Sequence, residues 1–358
     1  MSGSTTSRAA ETRLLPWNRK FLGSKRLLRD WVAERIIEKA GVPVTFLDGF
    51  CGTGSVGLAM AFRGARRVIA VDSLKSNCAI LQAFLETAYR PDLDQRMVML
   101  IGELNSLSPI SGYITESFGD SYFTRENCMR MDSIRESMER MKASAEISNA
   151  EHAILLGAFL LGADRVANTI GQYDAFLKHI DRKSIERGRH LVDQRVRTRF
   201  LLQPLEKLSG IALEVVHGDM LSLAAGLDVD AAYFDPPYNG RQYCDNYHVL
   251  ENLALWQKPP LYGKTRKFDR SGMKSPFCTR QAADALEKLM SDTCAREIFL
   301  SYSSEGILSR EEIHDVLARH GTVQEIETEY PVFGNGAGVS VRRSVREMLF
   351  HVRARRQP

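Results

Sequence analysis

A series of alternating strand and helix patterns near the start of the chain places the tightest constraint on its fold. The segment "VTFLDGFCGTGSVGLAMAF" (44–62) predicts a short buried strand, a glycine-rich turn and a helix packed by small residues. "RRVIAVD" predicts a second strand ending at Asp72, and "SNCAILQAFLETAY" (76–89) predicts the returning helix. Strand-helix-strand-helix order builds parallel sheets. We therefore expect an open α/β sheet.

After Pro91 the pattern changes to charged helices, without a buried strand of comparable quality. The best helical segments of this region are "IRESMERMKASAEI" and "AEHAILLGAFLLGADRVAN". We therefore expect a helical insert over residues 91–207 and a sheet domain built from residues 1–90 and 208–358.

Strand patterns resume after the insert. The last two strands, joined by "PVFGNGAGVSVRR", predict an antiparallel hairpin at the sheet edge. At the other end of the chain, residues 24–40 predict an amphipathic helix that stops at Gly41, and residues 1–15 predict a disordered leader. The later strands are predicted in "IALEVVHGDM", "AAYF" (231–234), "EIFLSYS" (297–303), "TVQEIETEY" (322–330) and "EMLFHVR" (347–353).

Composition limits the cellular setting. The chain has 358 residues, of which 44% are hydrophobic, so it can bury one large core. Its longest apolar runs, such as 153–163, fall short of the roughly 20 residues that span a bilayer, and no secretory signal is present. A cytoplasmic protein without a membrane partner is expected. The six cysteines include no CxxC pair, which favours free thiols.

Positive charge is clustered, although the net charge is only +4 at pH 7. Basic residues concentrate in three stretches, at 178–199, 262–277 and 342–356. Any one of them is compatible with an ordinary solvated face. Together they indicate contact with phosphate groups.

The glycine-rich turn "DGFCGTGSVG" predicts a ligand pocket at the end of the first strand. Gly52 and Gly54 let the backbone approach a ligand closely, but Asp48 would repel a pyrophosphate. A cationic ligand without phosphate suits the turn better. S-adenosyl-L-methionine offers a sulfonium and an amino group to Asp48, and its ribose hydroxyls to Asp72. Tight packing between strand and helix is the alternative explanation.

A second motif, "AYFDPPYNGRQY" (232–243), follows a predicted buried strand. Pro236 and Pro237 give a rigid, extended exit, so the Asp235 carboxylate and the Pro236 carbonyl are held in fixed directions beside the Tyr238 ring. Two acceptors and a stacking surface suit a planar amine such as the 6-amino group of adenine. An ordinary strand-terminating turn is the alternative.

The order of these motifs resembles that of the Dam-like, alpha-group family of DNA adenine-N(6) methyltransferases over most of the chain. "NRKFLGSKRLL" (18–28) is similar to motif X of the family, with Phe21 where tryptophan is common and Ser24 where glycine is common. The glycine-rich turn resembles motif I, and "DPPY" matches the catalytic motif. The resemblance implies a Rossmann-like class I methyltransferase sheet with an inserted helical target-recognition lobe.

The resemblance also implies roles for individual residues. Lys25 would pair with the carboxylate of the methyl donor, and Asp219 in "HGDM" would bond the donor's adenine. The implied residues for S-adenosyl-L-methionine are Phe21, Lys25, Asp48, Gly52, Gly54, Asp72 and Asp219, and the implied catalytic residues are Asp235, Pro236, Pro237 and Tyr238.

A subgroup of restriction-system methyltransferases shows further similarity in "YFTREN", "ADRVANTIGQYDAFLK" and "LSYSSEGIL". This similarity implies a restriction-modification system, in which a separate cognate restriction endonuclease is the expected partner. The reaction requires no metal ion.

Double-stranded DNA is the expected substrate, and its target adenine must flip out to reach such a pocket. Basic surfaces must then hold the backbone, and the insert and the 262–277 loop are the predicted clamps. Residues in the turns of the insert could equally serve packing or capping. The candidate DNA-binding residues are Lys264, Arg266, Lys267, Arg165, Asn168, Gln172, Tyr173 and Arg241.

Two other functions remain open from the residues. One is an RNA methyltransferase, or a methyltransferase for another planar amine, on the same fold. The other is a non-catalytic DNA-binding relative, against which the intact Lys25, Asp48, Asp72 and Asp235 argue.

Overall fold

The alternating pattern folds into one seven-stranded sheet in a computed structural model of the chain. The structure describes residues 14–16, 19, 21–169, 171–178, 180, 194–208, 210–332 and 343–355. The strands are β1 Thr45–Asp48, β2 Arg67–Asp72, β3 Leu213–His217, β4 Val229–Phe234, β5 Ala295–Ser303, β6 Gly321–Val332 and β7 Arg343–Ala354.

The strand order is β3-β2-β1-β4-β5-β7-β6. The first five strands in this order are parallel, and β7 pairs antiparallel with both β5 and β6. This confirms the predicted α/β sheet and the antiparallel pair at its edge. Strand order reverses between β1 and β4, so the crevice outside their carboxyl ends is where a doubly wound sheet binds ligands.

Apolar side chains from the central strands reach both faces of the sheet. Phe46 and Leu47 of β1 are both buried but belong to the two different core clusters. Successive side chains of a strand point to opposite faces, which explains why the central strands are apolar throughout. Helices cover both faces as a result.

Ten helices longer than one turn are found in the part of the chain that the structure describes. They are α1 Arg29–Ala40, α2 Ser55–Phe62, α3 Lys75–Tyr89, α4 Asp94–Ser106, α5 Tyr113–Phe118, α6 Arg125–Ala143, α7 Asn149–Val166, α8 His248–Leu255, α9 Ala282–Asp292 and α10 Arg310–His320. Shorter helical turns include Lys25–Leu27, Gln194–Arg197, Met220–Leu223 and Tyr243–Asn246. None of the helices described is long and apolar enough to cross a membrane.

The helix predicted over 24–40 is divided in two, which corrects that prediction. A 3-10 turn, Lys25–Leu27, precedes α1, and the Leu28 amide donates to the Lys25 carbonyl at 2.9 Å. The tighter turn brings Lys25 into the interior, where only 7% of it is exposed. The predicted stop is confirmed, since Gly41 ends α1 with φ 74° and donates to the Ile37 carbonyl.

The helices of the predicted insert pack directly on the sheet domain. α7 crosses α3 at Gly157, where an added Cβ would lie 2.3 Å from the Cβ of Ala83. Buried residues of α4, α6 and α7 therefore belong to the same apolar cluster as one face of the sheet. The boundaries at 91 and 208 stay predictions.

Several predictions lie partly or wholly outside the described residues. They are the leader, of which only 14–16 is described, most of the basic stretch at 178–199, and most of the link between β6 and β7. All six cysteines are free thiols, as predicted, and only Cys294 is exposed.

Candidate active site

A cavity of about 430 Å³ lies at the carboxyl ends of β1 and β4, where the strand order reverses. It brings together both motifs that the sequence placed after strands. Gly54, Pro236 and Tyr238 lie beside it without lining it. The predicted site residues that line it are Phe21, Lys25, Asp48, Gly52, Asp72, Asp219, Asp235 and Pro237.

The two glycines of the turn serve different contacts. Both have positive φ, 52° at Gly52 and 71° at Gly54. An added Cβ at Gly52 would come within 3.0 Å of the Phe21 ring, and one at Gly54 within 2.9 Å of Leu81 on α3. Gly52 thus admits an aromatic wall of the cavity, whereas Gly54 allows the tight helix packing that was the alternative explanation.

Asp72 closes the turn from the end of β2. Its Oδ2 accepts from the Gly52 amide at 2.8 Å, and its Oδ1 accepts from the Leu74 amide at 2.8 Å and the Asn77 side chain at 3.0 Å. Burial raises the pKa of Asp72, and these hydrogen bonds oppose the rise. The carboxylate is held rigidly at the edge of the cavity.

Asp48 ends β1 and is almost fully buried, at 1% exposure. Its Oδ2 accepts from the Gly57 amide, in the first turn of α2, at 2.8 Å. Burial raises the pKa of Asp48 to about 7, the Gly57 hydrogen bond opposes this, and Asp235 and Asp72 add to it. A cation placed beside Asp48 would favour its charged form.

Asp235 follows β4 and forms an ion pair with Lys25, whose Nζ lies 2.8 Å from its Oδ1. Glu347 of β7 approaches the same Nζ at 3.0 Å. Burial raises the pKa of Asp235 to about 6, Lys25 lowers it and Glu347 raises it. Burial disfavours the charge on Lys25, but the two carboxylates outweigh burial and hold its pKa well above the ordinary value.

Sequence reasoning missed Glu347, because it lies on the last strand, far along the chain from either motif. Its one signal was a carboxylate at the start of the predicted strand "EMLFHVR". The predicted pairing of Lys25 with the donor's carboxylate stays a prediction.

The loop after β4 is anchored through both the backbone carbonyl and the ring of Tyr238. The Tyr238 carbonyl accepts from the Ile307 amide at 2.8 Å, and its ring packs edge-on against Tyr302 with centroids 5.9 Å apart. Lys25 Nζ lies 5.7 Å from the centre of the Tyr238 ring. These contacts hold the DPPY segment beside the cavity.

Aromatic rings form the wall on the motif X side. Phe21 stacks on Tyr247 at 4.6 Å with planes 17° apart, and Tyr243 lies 5.6 Å away. The Tyr243 hydroxyl donates to the Leu22 carbonyl at 3.1 Å. Residues after DPPY therefore support the aromatic position of motif X.

Two further carboxylates line the cavity. Asp219 caps the turn Met220–Leu223 by accepting from the Leu221 amide at 3.3 Å. Glu251 of α8 accepts from the Lys75 and Ser76 amides at 2.8 and 2.9 Å, so it caps α3 from another part of the chain. Sequence reasoning missed Glu251, which sits within a short helix that is buried on nearly all sides.

The predicted DNA loop forms a tight turn between Tyr262 and Lys267, which are paired by backbone hydrogen bonds. Lys264 and Arg266 at its tip are exposed. Lys267 instead pairs with Asp174, at 2.9 Å, which joins the loop to the 171–178 segment.

The remaining candidates divide between surface and interior. Gln172 and Arg241 contact each other at 3.4 Å across the surface near the cavity, and Arg165 is exposed and bonded to Gln203. Asn168 is buried and donates to two backbone carbonyls at 2.7 Å. Tyr173 is also buried.

For Asn168 and Tyr173 the contacts favour the packing alternative. The Tyr173 hydroxyl donates to Asp164 at 2.8 Å, its amide donates to the Asn246 carbonyl, and its own carbonyl accepts from Tyr122. Both side chains are therefore engaged within the protein. Their role toward DNA stays a prediction.

Comparison with known proteins places this geometry in a family. The model of the D12 class N6 adenine-specific DNA methyltransferases matches residues 21–316. Over 317 residues the chain is 32% identical to the type II methyltransferase M.FokI of Planomicrobium okeanokoites, covering 84% of this chain and 47% of that protein. The chain thus spans about half the length of M.FokI.

Two other relatives are matched over nearly their whole length. The type II methyltransferase M.NlaIII of Neisseria lactamica is 29% identical over 87% of this chain and 92% of its own. M.CviAII of Paramecium bursaria Chlorella virus 1, also a type II methyltransferase, is 32% identical over 93% of this chain and 97% of its own. The chain belongs to the D12 class of N6 adenine-specific DNA methyltransferases.

Proposed function

We propose that the protein is a site-specific DNA methyltransferase that moves a methyl group from S-adenosyl-L-methionine to the 6-amino group of a flipped-out adenine. The observation that carries the proposal is the single cavity shared by Asp48 of the glycine turn and Asp235 of the DPPY segment. One motif suits the donor and the other suits the acceptor, so both reactants would meet at one sheet edge.

The cavity fits a cationic donor without phosphate. Its lining carries five carboxylates against two lysines, Lys25 and Lys274, and Lys274 is paired with Asp245 at 2.6 Å. S-adenosyl-L-methionine supplies an electrophilic methyl group on a sulfonium. Asp48 would face its positive charges, whereas Asp72 and Asp219 would accept from its ribose and adenine, and Phe21 offers a ring beside Gly52.

The DPPY segment suits the amine that accepts the methyl group. The amino nitrogen of adenine is a weak nucleophile because its lone pair is delocalised into the ring. The Asp235 carboxylate and the Pro236 carbonyl would accept its two hydrogens, which favours a pyramidal nitrogen with a free lone pair. Tyr238 would hold the base by stacking, worth about 1–3 kcal/mol.

Duplex DNA would be held over the cavity mouth. The exposed cations at the tip of the 262–267 turn, and exposed Arg241 beside half-buried Gln172, support this placement. Flipping the base costs a few kcal/mol, which backbone contacts must offset.

A place in a restriction-modification system is part of the proposal. Its support is that relatives of this chain are named type II methyltransferases or modification methylases. Such an enzyme would act in the cytoplasm beside a separate cognate restriction endonuclease.

Replacing Asp235 tests the proposal. Asp235→Ala should abolish methyl transfer to DNA, a loss of at least about 100-fold, because the amine loses its charged acceptor. Binding of S-adenosyl-L-methionine, measured by calorimetry, should remain within a few fold. Asp228→Ala, an exposed aspartate just before β4, is the matched control and should keep full activity.

The substrate class is tested in the same assay. Labelled methyl groups are offered with DNA, RNA and protein in parallel, and the modified base is identified by mass spectrometry. Transfer to RNA or protein alone, or tight donor binding with no transfer at all, would contradict the proposal.

A further inference from the structure

Lys25 stands between two carboxylates in the interior of the protein. Its Nζ lies 2.8 Å from Asp235 and 3.0 Å from Glu347. All three side chains are largely buried, with exposures of 7% for Lys25, 14% for Asp235 and 8% for Glu347. One positive charge therefore faces two negative charges. Both carboxylates approach a single nitrogen, so their charges interact directly.

The two contacts to Lys25 are not equivalent. Nζ donates a hydrogen bond to Asp235, whereas the contact to Glu347 Oε1 is an ion pair without hydrogen-bond angles. Oε1 is buried and makes no hydrogen bond within the part of the chain that the structure describes. A buried acceptor left in this state is costly unless it serves another purpose.

Glu347 is fixed in place by the edge hairpin. In the register of the sheet it lies opposite Ser303 of β5 and Thr328 of β6. It also lies beyond residues 21–316, which the family model covers. Its position beside Asp235 is thus set by the C-terminal strands.

We propose that Glu347 is a positioning residue for methyl transfer. It holds the Lys25 ammonium group against Asp235 and adds a second negative charge there, so that Asp235 is ionised yet basic enough to accept a proton from the adenine. This inference rests on the function proposed above.

The reaction has to dispose of one proton. As the adenine nitrogen forms its bond to the methyl carbon, the carbon–sulfur bond of the donor breaks with its electron pair on sulfur, and the nitrogen becomes positively charged. The nitrogen then loses one proton to Asp235, which becomes a neutral carboxylic acid and later releases the proton to water. Lys25 alone would make Asp235 a weak base, and Glu347 offsets that effect.

Other titratable groups face Asp235 and must be separated from Glu347 in a test. Asp48 interacts with it from β1 and has a pKa of about 7. Burial raises the pKa of the three neighbouring phenols, so they stay neutral over the range of the test. The facing groups are Lys25, Glu347, Asp48, Tyr233, Tyr238 and Tyr243.

The test is the pH profile of a single turnover of methyl transfer, measured between pH 5 and 9 on DNA from a host without adenine methylation. Glu347→Gln should move the acid limb down by about one pH unit and lower the plateau rate about tenfold. Lys25→Gln should move the limb in the opposite direction, because the two carboxylates then repel each other without a cation. Glu347→Asp should lie between wild type and Glu347→Gln.

The matched control is Glu297→Gln, which removes another buried carboxylate, bonded to His351 at 2.7 Å on the neighbouring strand. Its acid limb should stay at the wild-type position. An unmoved limb in Glu347→Gln would overturn the proposal. If that variant shows no melting transition, the Glu347→Asp limb decides in the same way.

Failure of the proposed function would look different. In that case the wild-type protein itself would transfer no methyl group to adenine in DNA, before any variant is compared. If only the inference about Glu347 fails, the wild-type protein still transfers methyl groups, and the acid limb of Glu347→Gln stays at the wild-type position.

Discussion

Asp48, the residue proposed to face the donor, is a buried carboxylate whose charge costs stability. It is nearly fully buried, and its pKa of about 7 means that it is protonated in the folded protein where an unfolded aspartate is already charged. The folded state therefore binds more protons between about pH 4 and 7. The stabilisation from the neutral form is present at low pH and is lost as pH rises through 7.

Asp48→Asn should remove this cost. The amide oxygen can still accept from the Gly57 amide, but it never becomes charged. We expect the variant to be more stable than wild type by about 2 kcal/mol at pH 8, with little difference at pH 4.5. Urea unfolding at the two pH values measures this, and an equal difference at both would contradict it. Donor binding should weaken, since the charge beside the cation is lost.

Residue identities near the cavity were largely predictable, because short motifs follow strand ends. Asp48, Asp72 and Asp235 were each placed by the strand that precedes them, and the carboxyl ends of parallel strands meet at one edge. Glu347 and Glu251 could not be predicted in the same way. Each reaches the site from a regular element whose own pattern gives no sign of its distant partner.

At the scale of elements, the crossing of α7 over α3 joins the predicted insert to the sheet domain. The contact between the two helices depends on Gly157, which has no side chain. The helices are so close there that an added Cβ would lie 2.3 Å from the Cβ of Ala83. α7 therefore packs tightly against α3, and the N-terminal end of α3 is capped by Asp72 and Glu251. The crossing thus packs the insert directly against a helix whose first turn lies at the cavity.

Gly157→Ala should therefore destabilise the protein by about 1–3 kcal/mol, although alanine normally stabilises a helix. Gly102→Ala in α4 is the matched control, because an added Cβ there meets nothing within 4 Å. That variant should gain about 0.5–1 kcal/mol. Denaturant unfolding compares the two, and a gain of similar size in both would show that the crossing has room.

The strands were predicted well because runs of buried apolar residues are local signals. The division of residues 24–40 was not a local effect: the chain turns at Leu28, and Lys25 contacts Asp235 in the loop after β4 and Glu347 on β7. The small residues of α7 likewise read as an ordinary apolar helix, and only the structure shows which of them faces Ala83. Tertiary contacts determine both the division of residues 24–40 and the face of α7 that packs on α3.

For the whole molecule, acidic and exposed basic side chains are concentrated in different places. Five carboxylates line the cavity, whereas exposed Lys264 and Arg266 lie at the tip of the 262–267 turn. Lys267 differs from its neighbours in that turn, because it is paired with Asp174 and so ties the loop to the 171–178 segment. It is expected to position the loop more than to contact phosphate.

Neutralising the tip of the turn should therefore weaken binding to duplex DNA through lost phosphate contacts. In Lys264→Gln/Arg266→Gln, the slope of log affinity against log salt should become shallower by about one unit for each cation removed. Lys267→Gln is the matched control and should leave the slope near the wild-type value, because its charge is already paired. Fluorescence anisotropy from low to moderate salt measures all three proteins. A wild-type slope in the double variant would remove the turn from the DNA interface.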